Sequence, residues 1–370
     1  MDFELPAEAT EAAGLAASIL TDHCTPDRLK SADAGRFDQA LWKQLGESGL
    51  LSLCVPEEYD GSGLGLLELC AVLVEAGRTV APVPLGSHTV TALAMAEHGS
   101  EEQRSAWLPA AASGGSILTT AIAEERQYAP PQPATRAEAD AGGWHLFGTK
   151  VAVAAGTRAD LFVVPATSEQ GLTVFLVHPD DAGVEVVEQR LTGGETSARL
   201  VLEGASLPAD RVLGDVGEGR LVVDWLTQRL TVALCAQQLG TLEGALELTS
   251  AYAKTREQFG RPIGTFQAVS QRLADGYIDV LGARLTMWQA AWRLSEGLSA
   301  AQEVSVAKVW AADAGHRVAH TTVHVHGGVG IDLDGEAHRY FTTAKRQELT
   351  LGGTTDQSRE IGRRMAQAAS

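Results

Sequence analysis

The feature that most limits the possible folds is a double change of periodicity. Between about residue 115 and about residue 210 the chain consists of short runs rich in Val, Leu, Thr and Phe: SILTTAIAE, WHLFGTKVAVAAG, DLFVVPAT, LTVFLVHP, VEVVEQR and SARLVLEGASLP. Gly, Asp and Pro separate them, which is the punctuation of strands. The runs predict a compact antiparallel β domain. YAPPQPATRAEADAGG, between the first two, has no periodicity and reads as a loop.

On both sides the period returns to that of helices. FDQALWKQLGESGLLSL places Phe37, Leu41, Leu45 and Leu50 on one face. LGLLELCAVLVEAGRTVAP is a second helical segment, closed by Gly77 and Pro82. Ser100, with Gln103 three residues on, opens a third in a capping-box pattern. From about residue 216, Leu239, Leu242, Leu246, Ser250 and Ala253 trace one face of a long helix. Three further amphipathic stretches, beginning near Phe266, Ala300 and Thr354, complete a bundle of four. The expected architecture is α+β: a helical domain (1–115), a middle antiparallel β domain (116–215) and a C-terminal four-helix bundle (216–370).

Composition narrows the function by exclusion. The chain carries 47 acidic against 29 basic residues, a formal charge of -18. Nucleic acid and anionic membranes require clustered Lys and Arg, so neither is expected as a partner. The opening MDFELPAEAT lacks the charge and apolar core of a signal peptide. No run approaches the roughly 18 to 20 apolar residues of a membrane span. Cys24, Cys54, Cys70 and Cys235 form neither a C-x-x-C pair nor a zinc spacing, and read as reduced thiols of a cytoplasmic protein.

Two motifs carry the chemistry. TREQFGRPIGTFQAVSQRLAD sets an Arg and a Phe three apart at the end of one helix, then a Gly-Arg-Pro-Ile-Gly turn, then Phe266-Gln267 as the next helix starts. An isolated pair of this kind is ordinarily a surface charge and a core aromatic. Some sixty residues on, HVHGGVGID crowds three glycines behind two histidines. Histidines one residue apart can bind a metal, but no third ligand stands at a suitable spacing, so no metal is expected.

Taken together with the helix–strand–helix order, these stretches resemble the acyl-CoA dehydrogenase family over nearly the whole chain. The resemblance implies flavin adenine dinucleotide (FAD) lying across a dimer interface, its ring on one subunit and its pyrophosphate and adenosine on the neighbour's bundle. The contacts it implies here are Arg256, Phe259, Gln267, Gly327 and Gly328, with His324 where the family usually has Gln. The residue types suit the task. Guanidinium pairs with pyrophosphate oxygens, an aromatic face packs on planar rings, and glycine lets backbone come close.

The resemblance also implies a Glu that removes the substrate α proton, in one of two places. Where the family has Glu before Gly-Thr, this chain reads LTLGGTTDQ, with Gly352 at that position. At the second place Gln228 precedes Arg229, and no carboxylate adjoins it. Asp224, one helical turn earlier, is a weak candidate, and Glu348 is no better placed. The Trp and Thr expected against the flavin ring are Ala152 and Ala154. No catalytic base is therefore expected in this chain.

The expectation is a chain that supplies half a cofactor site to an unlike subunit carrying the Glu. The pattern is similar to the base-lacking subunit of actinobacterial heterotetrameric acyl-CoA dehydrogenases of steroid catabolism. That implies a steroid side-chain acyl-CoA oxidised to an α,β-enoyl-CoA, with a separate electron acceptor. Two alternatives stand beside it: a self-sufficient homomeric dehydrogenase or oxidase with an atypical base, and a non-catalytic scaffold of the same fold.

Overall fold

The computed structural model describes residues 5–31, 37–192 and 196–368. In chain order its elements are helices α1 (Ala7–His23), α2 (Pro26–Ser31), α3 (Gln39–Glu47), α4 (Leu66–Arg78), α5 (Leu85–His98) and α6 (Glu101–Ala112). Strands β1 (Leu118–Thr120), β2 (Arg136–Ala139), β3 (Gly143–Ala154), β4 (Leu161–Ser168), β5 (Gly171–Val177), β6 (Val184–Arg190) and β7 (Thr196–Pro208) follow. Then come α7 (Gly219–Thr255), a small hairpin of β8 (Glu257–Gln258) and β9 (Arg261–Pro262), α8 (Gln267–Ser295), α9 (Ala301–His326), α10 (Ala337–Leu349) and α11 (Thr354–Ala368). The chain divides into two compact units, one of residues 1–33, 66–82 and 231–370, the other of 34–65 and 83–230. Among the described residues no helix is long and apolar enough to cross a membrane.

The second unit is built on a seven-stranded sheet. β3 pairs antiparallel with β2 and β7, β7 with β6, and β4 with β5. β1 and β2 lie end to end along β4, both parallel to it, so the sheet is mixed at this edge. Alternation along the strands buries Trp144, Leu146, Phe162, Phe175, Leu200 and Leu202 in one core. β2 falls inside the stretch expected to be a loop. Only Ala137 of its four residues is buried, so period 2 leaves no trace there.

Pairing with β3 and β4 makes β2 a strand, and Glu124 ties down the two residues just before it. Its carboxylate accepts hydrogen bonds from the backbone N–H groups of Ala134 (2.6 Å) and Thr135 (3.0 Å), from Thr135 Oγ1 (2.6 Å) and from the fully buried Lys150 Nζ (2.8 Å). Burial opposes ionisation of Glu124. The donors from Lys150 and Thr135 together outweigh it and hold its pKa below the usual value. Beside the sheet, Leu118 N–H donates to His88 Nδ1, so Nε2 carries the proton toward Ala111 O. Burial lowers the His88 pKa to about 4 and keeps the ring neutral. The expected capping box at Ser100 and Gln103 is present.

The first unit is helical. Gly77 does not close α4 as expected but sits inside it and is buried. A Cβ there would meet Gln237 O of α7 at 2.0 Å, and one at Gly240 would meet Val74 O at 1.8 Å. The glycines let two backbones touch, a tertiary demand with no local signature. Glu243 of α7 then ties α4 through Arg78 and α8 through Arg284 at 2.6 Å. α10 was not expected. Its buried face is Ala337, Arg339, Thr343, Ala344 and Gln347, which is small or polar and gives no apolar stripe to read.

Candidate functional site

Three helix ends of the first unit carry the residues singled out for a dinucleotide. Gly276 of α8 lies against Leu246 of α7 and Val318 of α9, and Arg317 of α9 makes a bidentate pair with Asp279 of α8 at 2.7 and 2.8 Å. Further along α8, Arg284 meets Glu243 of α7 and Gly282 meets Trp310 of α9, both earlier in their helices, so α8 runs antiparallel to the other two. Equal lengths of helix from this crossing lead to Gln267, to Thr255 and to Gly327, so all three termini reach the same end of the unit. The Tyr252 ring stacks on His326 with centroids 4.3 Å apart and planes at 21°, fastening the ends of α7 and α9. His326 Nδ1–H donates to Thr322 O at 2.8 Å and fixes the ring.

Arg256 is the residue after α7, and its backbone N–H still donates to Tyr252 O. Its side chain is exposed and has no hydrogen-bond or ion-pair partner among the described residues. The hairpin that follows turns through Phe259 and Gly260, with φ of +55° and +79°. Positive φ at both central residues is the two-residue turn that suits strand twist. Glycine takes it freely, whereas for Phe259 the left-handed backbone costs roughly 1–2 kcal/mol. The same side chain is 93% exposed. A strained, solvent-facing phenylalanine on a fixed turn is a residue shaped for contact rather than for this chain's own core.

Gln267, the first residue of α8, and His324, in the last turn of α9, are exposed. Gly327 adopts φ +65° and ψ -139°, open only to glycine, and turns the chain out of α9. A Cβ on Gly327 or Gly328 would meet no atom within 4 Å. The backbone here faces open space that any side chain would fill. An unpaired guanidinium, an exposed ring and bare backbone fit the phosphate, the planar base and the close approach that the resemblance implies for FAD.

The two expected base positions look different. Gly352, with φ +89°, follows Leu351, with φ +57°, in a left-handed turn. Lys308 Nζ, buried, donates to the carbonyls of Gln347 and Glu348 at 3.0 Å each, and Gln357 Nε2 donates to Leu351 O at 2.9 Å. The turn is thus stapled from both sides. Burial lowers the Lys308 pKa to about 8. The Glu348 carboxylate is held by Lys345 and lies 3.4 Å from His316 Nδ1.

In the other unit, Gln228 Nε2 donates to Asp224 O at 3.2 Å, and Asp224 pairs across one turn with Arg220 at 3.5 Å in an exposed ion pair. Arg229 lies over the Trp225 ring at 3.7 Å, and burial lowers its pKa to about 10. Ala152 and Ala154 are exposed near the end of β3, and Ala152 has φ +51° at a register shift after Lys150. Ala152 N–H donates to Gln189 Oε1 at 2.9 Å.

Among the described residues no cluster of His, Cys, Asp or Glu could hold a metal. Cys54, Cys70 and Cys235 are buried, and burial pushes the Cys235 thiol up to about 12. Sequence reasoning missed Tyr252, Arg261, Lys150 and Lys308. Tyr252, in the last turn of α7, stands four residues before Arg256, which was a legible signal. Lys150 and Lys308 declare themselves only through partners distant in sequence, and Arg261 only through the fold of its hairpin onto Phe266.

Residues 6–115 match the acyl-CoA dehydrogenase N-terminal domain, and residues 217–366 match the acyl-CoA dehydrogenase C-terminal domain. The chain is 46% identical to a Mycobacterium tuberculosis protein named acyl-CoA dehydrogenase FadE27, over 99% of each chain. It superposes on a chain of the ChsE4-ChsE5 complex from Mycobacterium tuberculosis with a TM-score of 0.94, at 46% identity and 99% coverage of each. It is also similar to a chain of a Tcur3481-Tcur3483 steroid ACAD, at a TM-score of 0.91, 41% identity and 98% coverage of each.

Proposed function

The chain belongs to the acyl-CoA dehydrogenase family, and on that premise we propose that it is the base-lacking subunit of a heteromeric FAD-dependent enzyme. The observation that carries this reading is an imbalance. Arg256, Phe259, Gln267, His324, Gly327 and Gly328 share one end of the helical unit, exposed and uncommitted, while the base positions hold Gly352 and Gln228.

Each retained residue has a task that its chemistry suits. Arg256 would bind the pyrophosphate of FAD, and Phe259 would pack on the adenosine. Gln267 and His324 would hydrogen-bond the same half, and Gly327-Gly328 would let it lie against backbone. FAD binds homologues of this fold and would supply the hydride acceptor for oxidising an acyl-CoA to an α,β-enoyl-CoA. The proton acceptor would come from an unlike subunit, as would the wall for the flavin ring that Ala152 and Ala154 do not offer. Asp224 and Glu348 are held in ion pairs and are poor substitutes.

Exposed apolar groups support a subunit role. Ile278, Leu281, Leu285 and Trp292 form one exposed stripe of α8, and Val329, Ile331 and Leu333 crowd beside the glycine turn. We assign 1–115, 116–215 and 216–370 to the N-terminal, middle and C-terminal domains of the family, and the protein to the cytoplasm. The substrate class is a steroid side-chain CoA thioester, by analogy with the two-subunit steroid enzyme among its relatives. A separate electron acceptor would take up the electrons that the oxidation releases.

Co-expression with candidate unlike subunits, followed by flavin-to-protein stoichiometry, tests the reading. One flavin per unlike pair, with none on the chain purified alone, is expected. A yellow homomer that turns over an acyl-CoA would overturn it and favour the self-sufficient enzyme. A flavin-free complex would favour the scaffold.

A further inference from the structure

Phe259 poses a problem that its own hairpin does not solve. It combines a left-handed backbone with near-complete exposure, and the turn beside it is open, since a Cβ on Gly260 would meet nothing within 4 Å. A two-residue-per-strand hairpin is too short to be rigid by itself. Something else must hold the ring where it stands.

Two contacts do so. The Phe259 ring meets the Phe266 ring edge to face, with centroids 6.1 Å apart and planes at 82°. The Arg261 guanidinium, two residues beyond Phe259 on the returning strand, lies 4.2 Å from the centre of that same Phe266 ring. Phe266 is half-buried at the N-cap of α8, immediately before Gln267. One aromatic ring anchored to a long helix thus receives the hairpin at its tip and at its returning strand. Among the described residues Arg261 has no carboxylate partner, and its guanidinium faces the ring in a cation–π contact.

We propose that Arg261 and Phe266 form a clamp that positions Phe259, and with it Arg256 at the hairpin base, for the dinucleotide. The clamp rests on the function proposed above. It makes Arg261 a positioning residue: it fixes the hairpin before binding, so less ordering remains when FAD and the unlike subunit arrive.

The test uses the assembled heteromer and reads FAD dissociation by flavin fluorescence on dilution. Arg261→Ala and Phe266→Leu should each weaken FAD binding by about 2- to 5-fold, the range of an exposed cation–π contact. The double variant should lose no more than either single one, because both break one clamp. Arg261→Lys, which keeps a cation over the ring, should restore most of the affinity, with thermal midpoints unchanged. The Arg261→Ala effect should also be equal at low and high salt. Should Phe266→Leu fail to fold, the Arg261→Ala and Arg261→Lys pair decides alone. Additive or salt-sensitive losses would mean that Arg261 contacts phosphate directly and would overturn the clamp, as would unchanged affinity in Arg261→Ala. Phe259→Ala run in parallel separates the levels. A loss there without one in Arg261→Ala sinks only the clamp, whereas no loss there sinks the cofactor reading beneath it.

Discussion

Tyr252 lies flat on His326, one ring from the last turn of α7 and the other from the last residue of α9. The stack joins two helix ends far apart in sequence, and each continues directly into a segment assigned to the cofactor. Replacing Tyr252 by Leu should cost the chain about 0.5–1.5 kcal/mol, the usual worth of such a pair beyond its area. Tyr252→Phe should cost much less. Denaturant unfolding of the three proteins checks this; equal losses in Leu and Phe variants would mean that the hydroxyl, not the stack, matters.

Arg256→Ala should leave the stability of the chain within about 0.5 kcal/mol, because its exposed side chain holds nothing among the described residues. In the heteromer it should weaken FAD retention by about 1.5–3 kcal/mol, the range for a hydrogen bond to a charged group. Flavin titration of the variant complex measures it, and unchanged affinity would remove Arg256 from the site.

Gly352→Glu should not create a working base. The backbone there is left-handed, and the preceding Leu351 already is too. A side chain at φ +89° is strained by roughly 1–2 kcal/mol, and Lys308 and Gln357 hold the turn from relaxing. The variant should be less stable and should show no enoyl-CoA formation when assayed alone. Turnover at a rate typical of the family would show that the turn can rearrange.

Lys150→Met should destabilise the chain by about 3–5 kcal/mol, because it leaves the Glu124 carboxylate buried without its cation. Since the Glu124 pKa is lowered on folding, the unfolded chain binds its proton first as pH falls. The stability it contributes is present above the unfolded value near 4.5 and is lost as pH drops through the lower folded value. A urea series across that window should show the acid-side loss in the native protein and a smaller one in Glu124→Gln. Identical slopes would exclude Glu124 as the source.

Gly77→Ala should cost at least about 1–3 kcal/mol, because its new Cβ would stand 2.0 Å from Gln237 O, and backbone cannot swing aside as a side chain can. A thermal midpoint equal to that of the parent would show that α4 and α7 separate more easily than their contact suggests.

Much of this molecule is written in local pattern. The period-2 runs fixed the sheet segments, the 3.6-residue faces fixed the long helices, and Ser100 with Gln103 fixed a helix start, because each signal lies within a few residues and is enforced by backbone geometry. The RxxFG and HGGVG stretches marked the candidate site only through the family resemblance they carry together, since either alone reads as an ordinary turn. Tertiary structure decided the rest. It made a strand of Arg136–Ala139 by pairing it with β3 and β4 behind a segment that Glu124 holds, and it turned Gly77 from a helix stop into a point of helix contact. It hid α10 behind a buried face of small and polar residues, and it set Arg261 and Phe259 on one ring. In the first three cases the deciding partner is remote along the chain or is a polar group whose cost is cancelled only in the folded state, and in the last it is a turn that folds two near neighbours onto one ring; periodicity carries none of this information.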